Sequence, residues 1–264
     1  MYLVKSCYGE DHILSRKTIK LGTLYEYRDT ELAHIADREE GISRFRLSLD
    51  EQVEVPKRWA NAMLGGMIHF ETDEPPPMLG KFFGHIENMH IVSTSADSVI
   101  FAQCNAKIER HAPNCFIYCM SAVRRVAAAD GIFPAYDSSW AITRSKASLF
   151  AEHLRQMLHR TLLSLEKSGN SVLPEGVTVG ELQIGCRHEL VNYVPRDQHI
   201  QLHGAVSVDD FMQSIRDMSF VKPPSYAHEL EYRFSYTLER DDLIIQPMVK
   251  SIILPAGDVL GLVV

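Results

Sequence analysis

The chain has 264 residues, of which 45% are hydrophobic and 23% charged, a balance ordinary for a globular protein with a sizeable core. Its formal net charge of −7 gives no global attraction to phosphate backbones and disfavours a generic nucleic-acid binder. No apolar run approaches the length of a membrane span, and the N-terminal stretch Met1 to Asp11 has neither a basic leader nor a long apolar segment, so a cytoplasmic protein with no membrane partner is expected.

The five cysteines, Cys7, Cys104, Cys115, Cys119 and Cys186, are odd in number and scattered, which fits reduced, mostly buried thiols. Cys115 and Cys119 stand four apart with no second Cys/His pair at finger spacing, which argues against a zinc site. We expect a single domain over residues 1–264.

Tyr2 to Cys7 is predicted as a first strand, with Asp11 as N-cap of a short helix through Ile13 and Leu14 towards Thr18, closing near Gly22. Thr23 to Tyr27 is aromatic and extended, and runs into a charge-dense loop that carries Arg28 and Asp37-Arg38-Glu39-Glu40 and ends at Gly41. Composition makes this loop a solvated surface segment, whereas its place directly after an aromatic strand is that of a ligand-binding loop. Ser43 to Leu49 alternates as a half-buried strand. Short strands are predicted at Met67 to Glu71, His90 to Thr94, Val99 to Cys104 and Cys115 to Ser121, with Glu74-Pro75-Pro76-Pro77 as a stiff connector. Arg44 and Arg46 with Lys57-Arg58-Trp59 offer a groove for single-stranded nucleic acid, against the simpler reading of a solvated strand face.

From Ser145 the spacing predicts an amphipathic helix through Phe150, Leu154, Met157, Leu158, Leu162 and Leu165, ended by Gly169. His153 and His159 on it are six apart and do not share a face as a metal pair would. Val177 to Cys186 and Glu189 to Val194 read as paired strands, and Ser207 to Asp210 as a capping box opening a second helix through Phe211, Met212, Ile215 and Met218. After Lys222-Pro223-Pro224 comes a strand that opens with Glu229-Leu230-Glu231 and runs to Leu238, then strands at Val249 to Leu254 and Val259 to Val263. The class is α+β, many short strands in a split or mixed sheet with two main helices. Neither a Gly-rich dinucleotide fingerprint nor a P-loop occurs, and no GxSxG or HExxH is present.

Glu229 and Glu231 are the leading candidates for chemistry. In an extended chain they project to one face while Leu230 and Tyr232 point the other way, and their like charges raise the proton affinity of one of them. A solvated strand face can present the same pair.

A basic residue near the start, a serine ending a middle strand and a late strand opening with Glu-x-Glu together resemble the arginine-class ADP-ribosyltransferases, the R-S-E type. The basic residue is Lys5 on the first strand or Arg28 in Tyr-Glu-Tyr-Arg; the serine is Ser121 in Cys-Phe-Ile-Tyr-Cys-Met-Ser, or Ser93 and Ser95 in Ser-Thr-Ser. The chain is also similar to a group of bacterial proteins that share an acidic Asp-x-x-Glu loop, a Cys-x-Ser strand and a late Lys…Tyr…Glu-x-Glu-x-Arg strand. Here these are Asp37-Arg38-Glu39-Glu40, Cys119-Met120-Ser121, and Lys222, Tyr226, Glu229, Glu231 and Arg233. The two resemblances together favour Ser121.

They imply an ADP-ribosyltransferase-like fold with NAD as co-substrate. Lys5 or Arg28 would neutralise the pyrophosphate, and Ser121 would hold the nicotinamide ribose. Glu231 would accept the ribose 2′-hydroxyl and stabilise the cation formed as nicotinamide leaves. Glu229 would orient or deprotonate the acceptor, and Tyr226, or Tyr25 and Tyr27, would stack on nicotinamide. Lys222 and Arg233 would take part in binding or fasten the loop by a salt bridge. The implied activity is transfer of ADP-ribose to a macromolecular acceptor, protein or nucleic acid, by a bacterial toxin or phage-defence effector, with an antitoxin or defence-system protein as partner. The alternatives are a non-catalytic α+β interaction module, acting as a sensor or inhibitor, and an NAD glycohydrolase.

Overall fold

The computed structural model describes residues 1–30, 36–72, 80–201, 213–241 and 243–264. Strand β1 (Tyr2–Cys7) is followed by the helical turn α1 (Ile13–Arg16), β2 (Thr18–Thr23) and the turn α2 (Glu26–Asp29). Next come β3 (Ile42–Leu49), β4 (Val53–Pro56), α3 (Lys57–Leu64), β5 (Lys81–Thr94) and β6 (Ser98–His111). β7 (Phe116–Val123) and β8 (Ser138–Thr143) precede the long helix α4 (Ala147–Lys167). The remainder is β9 (Gln183–Leu190), β10 (Asn192–Tyr193), β11 (Asp197–Gln201), β12 (Val221–Lys222), β13 (Glu231–Arg240), β14 (Leu243–Ile245) and β15 (Ser251–Pro255). The class is mixed α+β with a curled antiparallel sheet.

The chain forms two compact units, one of residues 1–40, 114–193 and 222–264, the other of residues 41–113 and 194–221. In the first, strands run in the order β14-β13-β7-β1-β8, with β9 on β13 and β2 joining β15 and β7. α4 covers one face of this sheet. Its Phe150, Leu154, Met157, Leu158 and Leu162 recur at three and four, so they form one stripe, and all are buried. Phe150 meets Phe234 of β13 edge to face at 5.3 Å, and the Tyr236 hydroxyl donates to the Ala151 carbonyl at 3.1 Å. Gly169, at φ +75°, supplies the left-handed residue that ends α4.

In the second unit β11, β3, β6 and β4 form one sheet, with β5 paired to β6 along the length of both. Alternation turns Phe45, Leu47 and Leu49 of β3 inward. α3 adds Trp59, Ala60, Ala62, Met63 and Leu64, all buried. Among the described residues no helix is long and apolar enough to cross a membrane.

Several elements differ from expectation. The cap of α1 is His12, whose side chain accepts the Leu14 N–H, while Asp11 pairs with Arg16. The helix stops at Lys17, which is left-handed, and residues 18–23 are strand. Thr23 to Tyr27 does not stay extended, because the Thr23 hydroxyl accepts the Glu26 N–H and the Asn114 side chain accepts the Tyr25 N–H, turning the chain into α2. Met67 to Glu71 forms no strand: the backbone N–H and C=O of Phe70 are taken up by the Asn61 side chain of α3 at 2.7 and 2.6 Å. His90 to Thr94 and Val99 to Cys104 are ends of two 14-residue strands.

Residues 179–181 are a capped 3-10 turn, so β9 begins later and pairs with β13 rather than with residues 189–194. Residues 257–262 coil as a 3-10 turn that buries Val259 and Leu262, in place of a terminal strand. Residues 74–77 and 207–212 lie outside the described residues; of the expected second helix, 213–216 are helical and Asp217–Phe220 a 3-10 turn. The five cysteines are free thiols, three buried, Cys119 half-buried and Cys186 exposed.

Asn61→Ala leaves the Phe70 N–H and C=O without partners in a buried setting. It is expected to destabilise the protein by about 2–4 kcal/mol, read as a lower urea midpoint with an unchanged m-value.

Candidate functional site

β1 and β7 part company part-way along. They pair at Tyr2↔Val123, Leu3↔Ala122 and Val4↔Ser121, after which β1 follows β8 alone as far as Cys7. β2 takes up β7 again at Phe116 and Ile117, so residues 118–120 carry strand pairing on the β13 side only. A cavity of about 70 Å³ occupies this gap, lined by Lys5, Ser6, Tyr27, Cys119, Ser121 and Glu231 among others. An outer groove of about 470 Å³ adjoins it and shares Lys5, Ser6, Tyr27 and Tyr136. Aromatic groups line the groove: Tyr8 and Tyr136 at 5.0 Å, Tyr118 and Trp140 at 6.4 Å.

The floor of the cavity is a buried ionic network. Lys222 Nζ lies 2.6 Å from Glu229 Oε2 and 2.9 Å from Glu231 Oε2. Arg233 donates from Nε to Glu231 Oε1 at 2.6 Å and from Nη1 to Glu40 Oε1 at 2.9 Å. All five residues are at most 5% exposed. Charges taken out of water this fully are tolerable only when each faces an opposite charge or a hydrogen-bond donor, and the planar guanidinium fork of Arg233 serves two carboxylates at once.

The two glutamates reach one lysine by a route the sequence does not show. Glu229 is not on the strand; it ends a 3-10 turn over Pro224–Glu229, and Leu230 follows in the left-handed region at φ 51°. Only Glu231 opens β13. The turn is fastened where Ser121 Oγ donates to the Glu229 carbonyl at 2.8 Å, and the Tyr193 hydroxyl accepts the Glu231 N–H at 2.8 Å. A one-residue kink thus does what an extended pair would have done by alternation.

Electrostatics separate the two carboxyls. Burial pushes Glu231 up, but the Arg233 and Lys222 charges against it prevail and hold it well below the usual carboxylate range. Burial pushes Glu229 up, only partly offset by Lys222 and reinforced by Glu231, so its carboxyl keeps a proton more readily than a free glutamate. Burial lowers Lys222, but Glu231 and Glu40 prevail and hold it protonated. Lys5 goes the other way: burial lowers its ammonium against the pull of Cys119 and Glu231. Its Nζ donates to the Cys119 carbonyl at 3.0 Å, one of the main-chain groups left in the gap, and lies 4.9 Å from the Tyr118 ring centre.

Of the residues singled out from the sequence, Lys5, Ser121, Glu229 and Glu231 line one cavity. Arg28 does not; its guanidinium stacks on Tyr25 at 3.9 Å and its Nε donates to the Glu40 carbonyl at 2.6 Å, so it braces the loop that carries Glu40. Tyr226 stands beside the network, its ring 5.0 Å from Lys222 Nζ and its hydroxyl donating to the Ala36 carbonyl at 3.3 Å. Ser93 and Ser95 are exposed in the other unit. The acidic loop is solvated only in part where it is described: Arg38 is exposed, but Asp37 and Glu40 are 2% and 1% exposed. Trp59 is 1% exposed, which removes it as a stacking platform beside Arg44 and Arg46.

Sequence reasoning missed Tyr193 and the pairing of Glu40 with Arg233; the available signal was an acidic loop and a late strand that carries an arginine. Among the described residues no three His, Cys, Asp or Glu side chains are grouped to hold a metal ion.

Arg233→Met leaves Glu40 and part of Glu231 buried without a counter-charge and is expected to cost about 3–5 kcal/mol in denaturant unfolding near neutral pH. Glu229 gives a signed pH effect. Its folded carboxyl binds a proton more tightly than the unfolded one, so this group makes stability fall as pH rises from about 4.3, the unfolded value, through its raised folded value. Glu229→Gln is expected to abolish that fall, checked by denaturant midpoints of both proteins across the same pH range. Comparison of the chain with protein-family models, with curated proteins and with solved structures found no match.

Proposed function

We propose that the protein cleaves NAD at the bond between nicotinamide and ribose and passes ADP-ribose to a macromolecular acceptor, as an ADP-ribosyltransferase-like enzyme. One observation carries this: Lys5 of β1, Ser121 of β7 and Glu231 of β13 line a single cavity where β1 and β7 separate. Their order along the chain, a basic residue, then serine, then glutamate, is that of the arginine-class resemblance, with Lys5 standing where that family carries arginine or histidine.

Two further observations support it. The outer groove, at about 470 Å³, falls within the range of small-molecule sites, and its aromatic walls and Lys5 suit the bases and pyrophosphate of a dinucleotide. Glu231 is held ionised, as a group that stabilises positive charge must be. In the reaction the nicotinamide nitrogen leaves with the bonding electron pair, and Glu231 stabilises the cation at the ribose through the 2′-hydroxyl. The acceptor's nucleophile then bonds to the same ribose carbon and loses its proton.

The inner cavity holds no more than a few waters, so ribose would enter as the Pro224–Glu229 turn and its Lys222–Glu229 pair move aside. Glu229 would thereby be freed from Lys222 at the moment an acceptor needs a base.

A second reading is favoured by the pairing of Glu229 and Glu231 within the protein: a non-catalytic interaction module in which the network only fastens the fold. Incubation of the purified protein with NAD labelled in the adenylate half distinguishes them. Label on a macromolecule supports transfer, free ADP-ribose with nicotinamide marks hydrolysis by the same site, and an intact dinucleotide with every acceptor tried leaves the module. Glu231→Gln is expected to reduce turnover by about a hundredfold or more. Undiminished turnover in that variant would remove Glu231 from the mechanism.

A further inference from the structure

The ionic network leaves one cation of the cavity without a counter-charge. Lys222 faces Glu229 and Glu231, and Arg233 faces Glu231 and Glu40. On the surface Lys20, Lys107 and Lys250 meet Glu26, Glu87 and Asp29. Lys5, among the described residues, has no carboxylate within ion-pair distance, and its Nζ donates to a neutral group, the Cys119 carbonyl at 3.0 Å. The Tyr118 ring at 4.9 Å adds only a cation–π contact.

The charged form is therefore disfavoured where it stands. Around Nζ are Cys7 of its own strand, Cys119 of β7, Glu231 of β13 and Lys20 of β2, with Tyr27 of α2 in the same gap. Burial is the largest influence and lowers the ammonium, Lys20 adds to it, and Cys119, Glu231 and Cys7 do not offset it. Such a lysine carries more free amine, with its lone pair available, than a solvated lysine at the same pH.

The strands give this amine access. β1 has lost β7 beyond Val4, and Lys5 keeps Trp140 of β8 as its strand partner, so its side chain opens into the gap. Lys5 lines the inner cavity and also the outer groove of about 470 Å³. None of Lys222, Glu229, Glu231 and Arg233 lines that groove, so a molecule there reaches Lys5 with the ionic network undisturbed. Tyr8, Tyr136, Tyr118 and Trp140 wall it with rings.

We propose that the groove takes up an aromatic aldehyde, which Lys5 captures as an imine. The Nζ lone pair bonds to the carbonyl carbon, and the carbonyl oxygen takes a proton. The nitrogen then gives up its remaining protons as the hydroxyl leaves as water, so a C=N bond replaces C=O with no change of oxidation state. The aldehyde is aromatic because the walls of the groove are rings, which gain by stacking on a ring and gain little from an aliphatic chain. The reading of the cavity as an NAD site is not needed for this step.

Salicylaldehyde is the probe. The full-length chain is incubated with it and cyanoborohydride, which reduces an imine to a stable secondary amine, and the labelled side chains are mapped by mass spectrometry. Near neutral pH Lys5 is expected to label about tenfold or more faster than exposed lysines such as Lys17 and Lys81. Its rate is expected to rise with pH and level off earlier than that of a solvated lysine, because its ammonium gives up the proton at lower pH. Lys5→Arg removes this label. Tyr8→Ala, a change at an exposed wall, is expected to slow labelling by salicylaldehyde about fivefold and leave labelling of Lys5 by propanal unchanged.

The wild-type map decides the matter even where a variant fails to fold. Lys5 left unlabelled, labelled no faster than the exposed lysines, or labelled as fast by propanal as by salicylaldehyde overturns the proposal. The assay contains no NAD, so its outcome is separate from that of the dinucleotide assay.

Discussion

The carboxylate of Glu231, clamped between Lys222 and Arg233, is the interaction on which the first unit depends. Each cation is buried and relies on it as a counter-charge, alongside Glu229 for Lys222 and Glu40 for Arg233. Arg233 extends the clamp to Glu40 and so draws in a loop rich in charge that would otherwise be solvated; Lys222 extends it to Glu229 and so closes the turn before β13. Three separate stretches of chain are therefore held by one chain of ion pairs. Their stabilities are coupled: loss of one member strands the others, whereas apolar contacts of similar size would be lost one at a time.

That coupling bears on motion as well as stability. The turn over Pro224–Glu229 is fixed to β7 by one hydroxyl-to-carbonyl bond and to the network by the Lys222–Glu229 pair, while most of its other surface is open or half-buried. Glu229 has the carboxyl that more readily becomes neutral, and its protonation would weaken the pairing with Lys222 while leaving Glu231 and Arg233 paired on the strand itself.

Much of this was legible in the chain, and for definite reasons. Alternation exposes β3 because its polar residues face outward one by one, and a spacing of three and four exposes α4 because it packs on one face only. α3 escaped notice because a buried Asn61 interrupts its apolar pattern, and that asparagine serves Phe70 rather than its own helix. β5 is far longer than its sequence pattern predicts, since most of its residues are exposed and it has little apolar alternation to show. In the site, Lys5, Ser121 and Glu231 were reachable because each sits on a strand in a fixed register. The place of Glu40 was not, because local composition cannot tell a solvated carboxylate from one whose arginine lies 193 residues away. Nor does any residue type announce that Leu230 turns left-handed: glycine or asparagine would have done so.

The parting of β1 from β7 has one more consequence. A strand with one unpaired side ordinarily lies at the rim of a sheet, where its main-chain groups invite pairing with a foreign strand. Here the unpaired side of residues 118–120 lies inside the sheet, between β1 on one side and β2 on the other, facing the small cavity beside the outer groove. The molecule thus holds a three-residue length of strand edge within its sheet, where Lys5 takes up the Cys119 carbonyl and the flanking strands leave a foreign strand little length to pair with.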